Sequence, residues 1–118
     1  MGAIDLASAK LPINTKDGAV DLVTRQHLFV KGLNFRHGTG HGIGSYLKVH
    51  EGPINVHMHS GTRSTLTGSF APNMFFSDEP GYYEDGQFGI RLETILSVSP
   101  MKVTNEDYGN LTNITMSN

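Results

Sequence analysis

Apolar residues recur in three ways along this chain. From Phe88 to Ser99 they alternate: Phe88, Ile90, Leu92, Leu96 and Val98 fall on one side of a period-two pattern, and Gly89, Arg91, Glu93 and Ile95 on the other. Such alternation predicts one strand over Phe88–Ser99, entered through a turn at Gly86. Asn73-Met-Phe-Phe-Ser77 is a shorter apolar run and predicts a strand that stops before Pro80, which lacks a backbone donor. Ala19, Leu22, Val23 and Val30 sit near one face of a helix that Thr15 would cap. Asp17 and Asp21 would lie near its positive end and Lys31 near its negative end, with Gly32 as the left-handed stop. Ile4–Lys10 is helix-compatible up to Pro12, because the residue before proline is pushed out of the helical region. Leu33–Phe35 reads as extended, residues 54–72 as a polar surface insert, and the stretch after Pro100 as a loose tail.

Composition narrows the class. The 118 residues allow one domain or part of one, and 37% apolar with 17% charged residues is a globular balance. A net charge of −2 offers no electrostatic case for nucleic acid or an anionic membrane surface. The absence of cysteine rules out a disulfide scaffold. No apolar run approaches twenty residues, so no spanning helix is expected. No basic-then-apolar leader is visible, which gives a cytoplasmic expectation. Asn110-Leu-Thr112 and Asn113-Ile-Thr115 match the glycosylation pattern, which matters only in a secreted context.

Candidate chemistry concentrates between His37 and Glu93. The segments are His37-Gly-Thr-Gly-His41-Gly-Ile-Gly44, His50-Glu-Gly-Pro53, Ser77-Asp-Glu79-Pro-Gly-Tyr-Tyr83 and Arg91-Leu-Glu93. Imidazole nitrogen with carboxylate oxygen is a ligand set for Zn, Mn, Co or Fe. Each residue also has a plainer reading. Glu93, in the middle of an apolar strand, needs a partner, and spacing alone leaves a metal and an ion pair with Arg91 equally open. Glu79 could be a solvated turn acid, His41 a structural imidazole among glycines, and Tyr83 a core-edge ring. The glycines lack the Lys-Ser/Thr sequel and following helix of a phosphate loop. His57 and His59 read as surface histidines of the insert, and His27 has no assigned role.

These segments closely resemble the carboxy-terminal catalytic domain of the Xaa-Pro aminopeptidases (aminopeptidase P), pita-bread metallopeptidases related to methionine aminopeptidase and prolidase. The resemblance is specific over residues 35–98 and looser back to Ile4; residues 100–118 carry no motif. It implies an α+β pita-bread fold of which residues 1–118 form the second half. By resemblance, His41, Glu79 and Glu93 are metal ligands, with Glu79 also the general base. His37 and His50 are substrate-side histidines, Arg91 orients carboxylate or substrate, and Tyr83 lies near the metals. Where that family has glycine before the methionine, this chain has Asn73, which also tolerates positive φ.

The resemblance implies two divalent cations, most plausibly Mn²⁺ with Zn²⁺ or Co²⁺ possible, that activate a bridging water against the bond preceding proline. Substrates would be peptides with proline at the second position, and a homodimer is possible for the full-length protein. That family also uses two aspartates, eleven positions apart and roughly sixty residues before the metal histidine. No two aspartates here are eleven apart, and the histidine is already residue 41. The chain alone is therefore expected to be inactive. The rival reading is a non-catalytic fragment, or a metal-free pita-bread module that binds peptides or serves as a scaffold; fold alone does not decide between them.

Overall fold

The computed structural model describes residues 1–58, 68–102 and 112–117. The elements follow in the order α1 (Gly2–Ala7), β1 (Lys10–Pro12), α2 (Asp17–Phe29), β2 (Gly40–Ile43), β3 (Asn55–Val56), β4 (Phe75–Asp78), β5 (Gly81–Glu84), β6 (Phe88–Arg91), β7 (Thr94–Lys102) and β8 (Thr112–Ser117). Six strands form one sheet in the order β1-β8-β7-β4-β2-β3, and β5-β6 make a separate hairpin. All pairings are antiparallel.

The two helices cover one face of the sheet. Leu6 of α1 and Val20 of α2 join Phe76, Leu96, Val98 and Met116 of the strands in a single apolar cluster. The crossing is close: a Cβ on Gly2 would stand 2.0 Å from the Thr24 carbonyl oxygen. The opposite face is open, with Ile43, Phe75 and Ile95 exposed.

Several expectations change. The Phe88–Ser99 strand is two strands in different sheets, broken at Leu92 and Glu93. Phe88, Ile90 and Leu92 are exposed while Leu96 and Val98 are buried. A shared period does not show that the chain changes partners midway. Glu93 is accordingly exposed, so the cost of burying its charge does not arise. Helix α1 ends at Ala7, before Lys10, which belongs to β1.

The buried face of α2 is Asp17, Val20, Asp21, Thr24 and Arg25, whereas Leu22 and Val30 are exposed. The periodicity was right for a helix, but polar partners turned its charged side inward. The cap also differs: Lys16 occupies the N-cap position, and the Thr15 hydroxyl donates to the Pro12 carbonyl. Residues 54–72 are no mere surface insert, because Ile54, Val56 and Phe70 are core residues and the Phe70 and Phe76 rings lie 4.9 Å apart. After Pro100 the chain is not simply loose, since β8 pairs with both β7 and β1.

The turn chemistry matches the sequence. Gly32, Asn73 and Gly86 all take positive φ, at 69°, 68° and 75°. A different constraint acts at Gly40, where a Cβ would sit 1.8 Å from the Ser77 carbonyl oxygen of the neighbouring strand. Gly40→Ala must push β2 away from β4. We expect it to cost about 3 kcal/mol, the upper part of the usual over-packing range. Urea denaturation checks this; a loss below about 1 kcal/mol would mean that the strands separate freely.

Candidate metal centre

Antiparallel register brings the predicted ligands together. Ser77 and Asp78 of β4 pair with Ile95 and Thr94 of β7. The residue just past the end of β4, Glu79, therefore lies beside the residue just before β7, Glu93. On the other side, Gly42 of β2 pairs with Phe76, which sets His41 at the same level. One ligand atom from each of His41, Glu79 and Glu93 lies within 4.8 Å of the others. Glu79 is buried, His41 half-buried and Glu93 exposed, so the cluster sits at the rim of the sheet with one open side.

His41 is oriented for ligation. Its Nδ1 lies 2.9 Å from the Gly42 carbonyl, which can only accept, so Nδ1 carries a proton and Nε2 is the nitrogen turned toward the carboxylates. Nε2 is 3.4 Å from Glu79 Oε1. Carbonyl-held imidazole is the usual arrangement behind a metal-binding histidine. The donor set of one imidazole and two carboxylates fits a hard or borderline divalent cation.

Sequence reasoning missed Ser77. Its hydroxyl donates to Glu79 Oε1 at 2.8 Å and accepts the His41 backbone N–H at 2.9 Å, tying two of the three candidate ligands together. The available signal was its place two residues before Glu79 on a strand, hence on the same face. Ser77→Ala should weaken cation binding by about 10–100-fold, the usual effect of removing a partner that holds a ligand. Calorimetric titration with Mn²⁺, Co²⁺ or Zn²⁺ tests it, and unchanged affinity would show that Glu79 needs no hydroxyl.

A polar chain runs from Glu79 toward an open cleft. Arg91 Nη1 donates to Glu79 Oε2 at 3.0 Å, and Arg91 Nε donates to the Tyr83 hydroxyl at 3.1 Å. The Tyr83 oxygen is 2.7 Å from His37 Nε2. His37 Nδ1 donates to the Gly38 carbonyl at 2.7 Å, so in the neutral ring Nε2 accepts from the tyrosine. Tyr83, first, and then the Glu79 and Glu93 carboxylates raise the Arg91 pKa, keeping it cationic. The cleft, about 550 Å³, is lined by Phe35, Arg36, His37, Tyr83, Asp85 and Arg91 among others.

The remaining residues sort as follows. His50 is exposed, and its ring lies 4.4 Å from that of His41. Arg91 is held by Glu79 and Tyr83, so the plainer reading of an Arg91–Glu93 pair is not needed. His57 is half-buried beside Gly38 rather than on an outlying insert, and His59 falls outside the described residues. His27 bonds the Asp5 carboxylate on the outer surface at 2.5 Å and lowers the Asp5 pKa. Asp78 points the opposite way from Ser77 and Glu79. It is fully buried, and neither carboxylate oxygen has a hydrogen-bond partner among the described residues.

Known proteins share both the sequence and the fold. The model of metallopeptidase family M24 matches residues 3–100. A "Probable Xaa-Pro aminopeptidase P" of Metarhizium acridum is 54% identical over 98 residues, covering 82% of this chain and 15% of its own length. One from Tuber melanosporum is 49% identical over 109 residues, covering 92% of this chain and 17% of its own. Thus the chain spans about a sixth of these relatives. Among solved structures, X-prolyl aminopeptidase from Caenorhabditis elegans is described as a cytosolic enzyme with a di-nuclear active site. It superposes with a TM-score of 0.78 at 35% identity over 98% of this chain and 17% of that one. Prolidase from Pyrococcus furiosus, at 22% identity and a TM-score of 0.68, shares the fold. With the family model matching most of its residues and its sheet superposing on solved members, the chain belongs to metallopeptidase family M24 and carries part of the pita-bread fold.

Proposed function

We propose that this chain is the second half of a Xaa-Pro aminopeptidase catalytic domain. In this reading it supplies His41, Glu79 and Glu93 to a two-metal centre whose two aspartates come from outside its 118 residues. The observation that carries the proposal is the convergence of those three ligand atoms within 4.8 Å, from strand ends distant in sequence. Substrates are peptides with proline in second position, by similarity to the relatives named above. The cation in this reading is Mn²⁺, given one imidazole against a majority of carboxylates. Bound divalent cations supply Lewis acidity and lower the pKa of water.

The chain's own groups have defined work in this scheme. Glu79, its two oxygens held by Ser77 and Arg91, accepts the proton of the attacking water. Arg91 keeps that carboxylate oriented and stays charged. His37, hydrogen-bonded to Tyr83, faces the cleft and can hand a proton to or from the substrate. His50, beside His41, lies on the same open side and is assigned to the substrate. We place the parent protein in the cytoplasm, as its Caenorhabditis elegans relative is described, and allow for a homodimer. No helix of the described residues is long and apolar enough to cross a membrane.

The test has two arms. The 118-residue chain alone, given Mn²⁺ and an Arg-Pro-Pro peptide, should show no turnover above a His41→Ala control, because three ligands do not close a two-metal site. Grafted in place of the matching segment of the Metarhizium acridum relative, it should restore turnover, and His41→Ala should remove it. A folded, metal-loaded but inactive graft would overturn the reading and favour a module that binds peptides without cleaving them.

A further inference from the structure

We propose that the buried Asp21–Arg25 pair of α2 is a positioning device for the His37 imidazole, acting through the backbone of residues 34–39. This rests on the reading above that His37 serves the site. The pair lies on the helix face that sequence periodicity would send to solvent, yet Asp21 and Arg25 are 0% and 4% exposed. Burying an ion pair seldom stabilises a protein more than a well-packed apolar replacement would. Cancelling charge therefore does not account for the arrangement, and its geometry points elsewhere.

Arg25 uses one N–H on Asp21, from Nε to Oδ2 at 2.7 Å. Its other bonds all go to the segment that carries the histidines. Nη1 donates to Asn34 Oδ1 and to the Phe35 carbonyl, and Nη2 donates to the His37 carbonyl, each at 2.7 Å. The guanidinium carbon lies 3.8 Å from the Phe35 ring centre, and that ring is 4.8 Å from the His37 ring. Phe35 thus touches both the cation and the imidazole.

Asp21 holds the other side of the segment. Its Oδ1 accepts the Thr39 hydroxyl and its Oδ2 accepts the Met58 backbone N–H. The chain between these anchors contains Gly38 and precedes Gly40, so it has little stiffness of its own. His41 needs no such support, because β2 is paired on both edges. His37 lies outside every strand, and its ring direction follows from where its carbonyl and Phe35 are held. A fork of planar donors does this, and a lysine ammonium cannot reproduce it.

The experiment is NMR of the 118-residue chain labelled with ¹⁵N at histidine, reading the ring tautomers of His37 and His41 without metal or substrate. In Arg25→Lys, which keeps the charge facing Asp21, His37 should lose its single Nδ1–H form and average between tautomers. His41 should keep its Nδ1–H form, and the amide spectrum should stay dispersed. Arg25→Gln, which removes the charge, should do the same if it folds. A folded variant with an unchanged His37 ring, or with both rings disturbed alike, would overturn the proposal. So would failure of both variants to fold, which would make the pair a folding element only. Because the rings are read without turnover, an inactive graft would leave this result standing. In an active graft, Arg25→Lys should lower kcat by about 10–100-fold with metal content unchanged, as expected for a misplaced catalytic group.

Discussion

Glu79→Gln, in the graft that completes the catalytic domain, is expected to lower kcat by about 10²–10⁴-fold, the usual contribution of a general base. The amide keeps the shape of the carboxylate at a position only 8% exposed. Its oxygen can still accept from Arg91, and the Ser77 hydroxyl can turn to accept from its NH₂, so the fold should survive. What it loses is the negative charge that draws a cation and the basicity that takes a proton. Metal content and kcat measured on the same preparation separate those two losses. A rate within about tenfold of the parent would show that another group is the base.

Asp78→Asn should make the chain more stable at neutral pH and nearly unchanged near pH 3. Burial, first, and then the neighbouring Glu79 charge raise the Asp78 pKa from 3.8 to about 7. The sign follows from proton binding. Between those two values the folded chain holds a proton that the unfolded chain has released, so stability falls as pH rises from about 4 to about 7 and is flat above. A rise of about three units is worth at most ~4 kcal/mol, and ~2–3 kcal/mol once solvent screening is allowed for. Asparagine has no charge to release and removes this decline, while keeping a polar group that has no partner among the described residues. Urea denaturation of both proteins at pH 4 and pH 8 gives the difference. If the gain at pH 8 is no larger than at pH 4, Asp78 has a cationic partner in solution.

Glu79 and Asp78 are adjacent, yet among the described residues one is hydrogen-bonded on both oxygens and the other on neither. The reason is the period of two on β4. Ser77 and Glu79 share the face that meets His41 and Arg91, while Phe76 and Asp78 share the face that meets the core. Nothing in Ser77-Asp-Glu79-Pro80 alone says which acid turns to which side. The same limit explains the break at Leu92 and Glu93. Alternation is continuous from Phe88 to Val98, but β6 pairs with β5 and β7 with β4 and β8.

Local chemistry was enough for some features. A left-handed backbone is cheap only for glycine and, next, asparagine, so the turns at Gly32, Asn73 and Gly86 could be placed from residue type. The motifs around His41, Glu79 and Glu93 pointed to metallopeptidase family M24, which the family match over residues 3–100 shows. Other features depended on neighbours distant in the chain. The inward face of α2 exists because Asp17 finds the backbone N–H groups of Asn55 and Gly68, and Asp21 finds Arg25, Thr39 and Met58. Ile54, Val56 and Phe70 become core residues because β3 joins the sheet edge and Phe70 meets Phe76. Sequence by itself determined the residue types able to bind a cation and the backbone turns that only certain residues allow, since both are properties of single side chains. The tertiary structure alone decided which acid faces the candidate site, how Ser77 and Arg25 bond to the candidate ligands and to the loop of residues 34–39, and where the long strand divides. Those outcomes depend on strand register and buried polar pairing, which are relations between residues far apart in the chain.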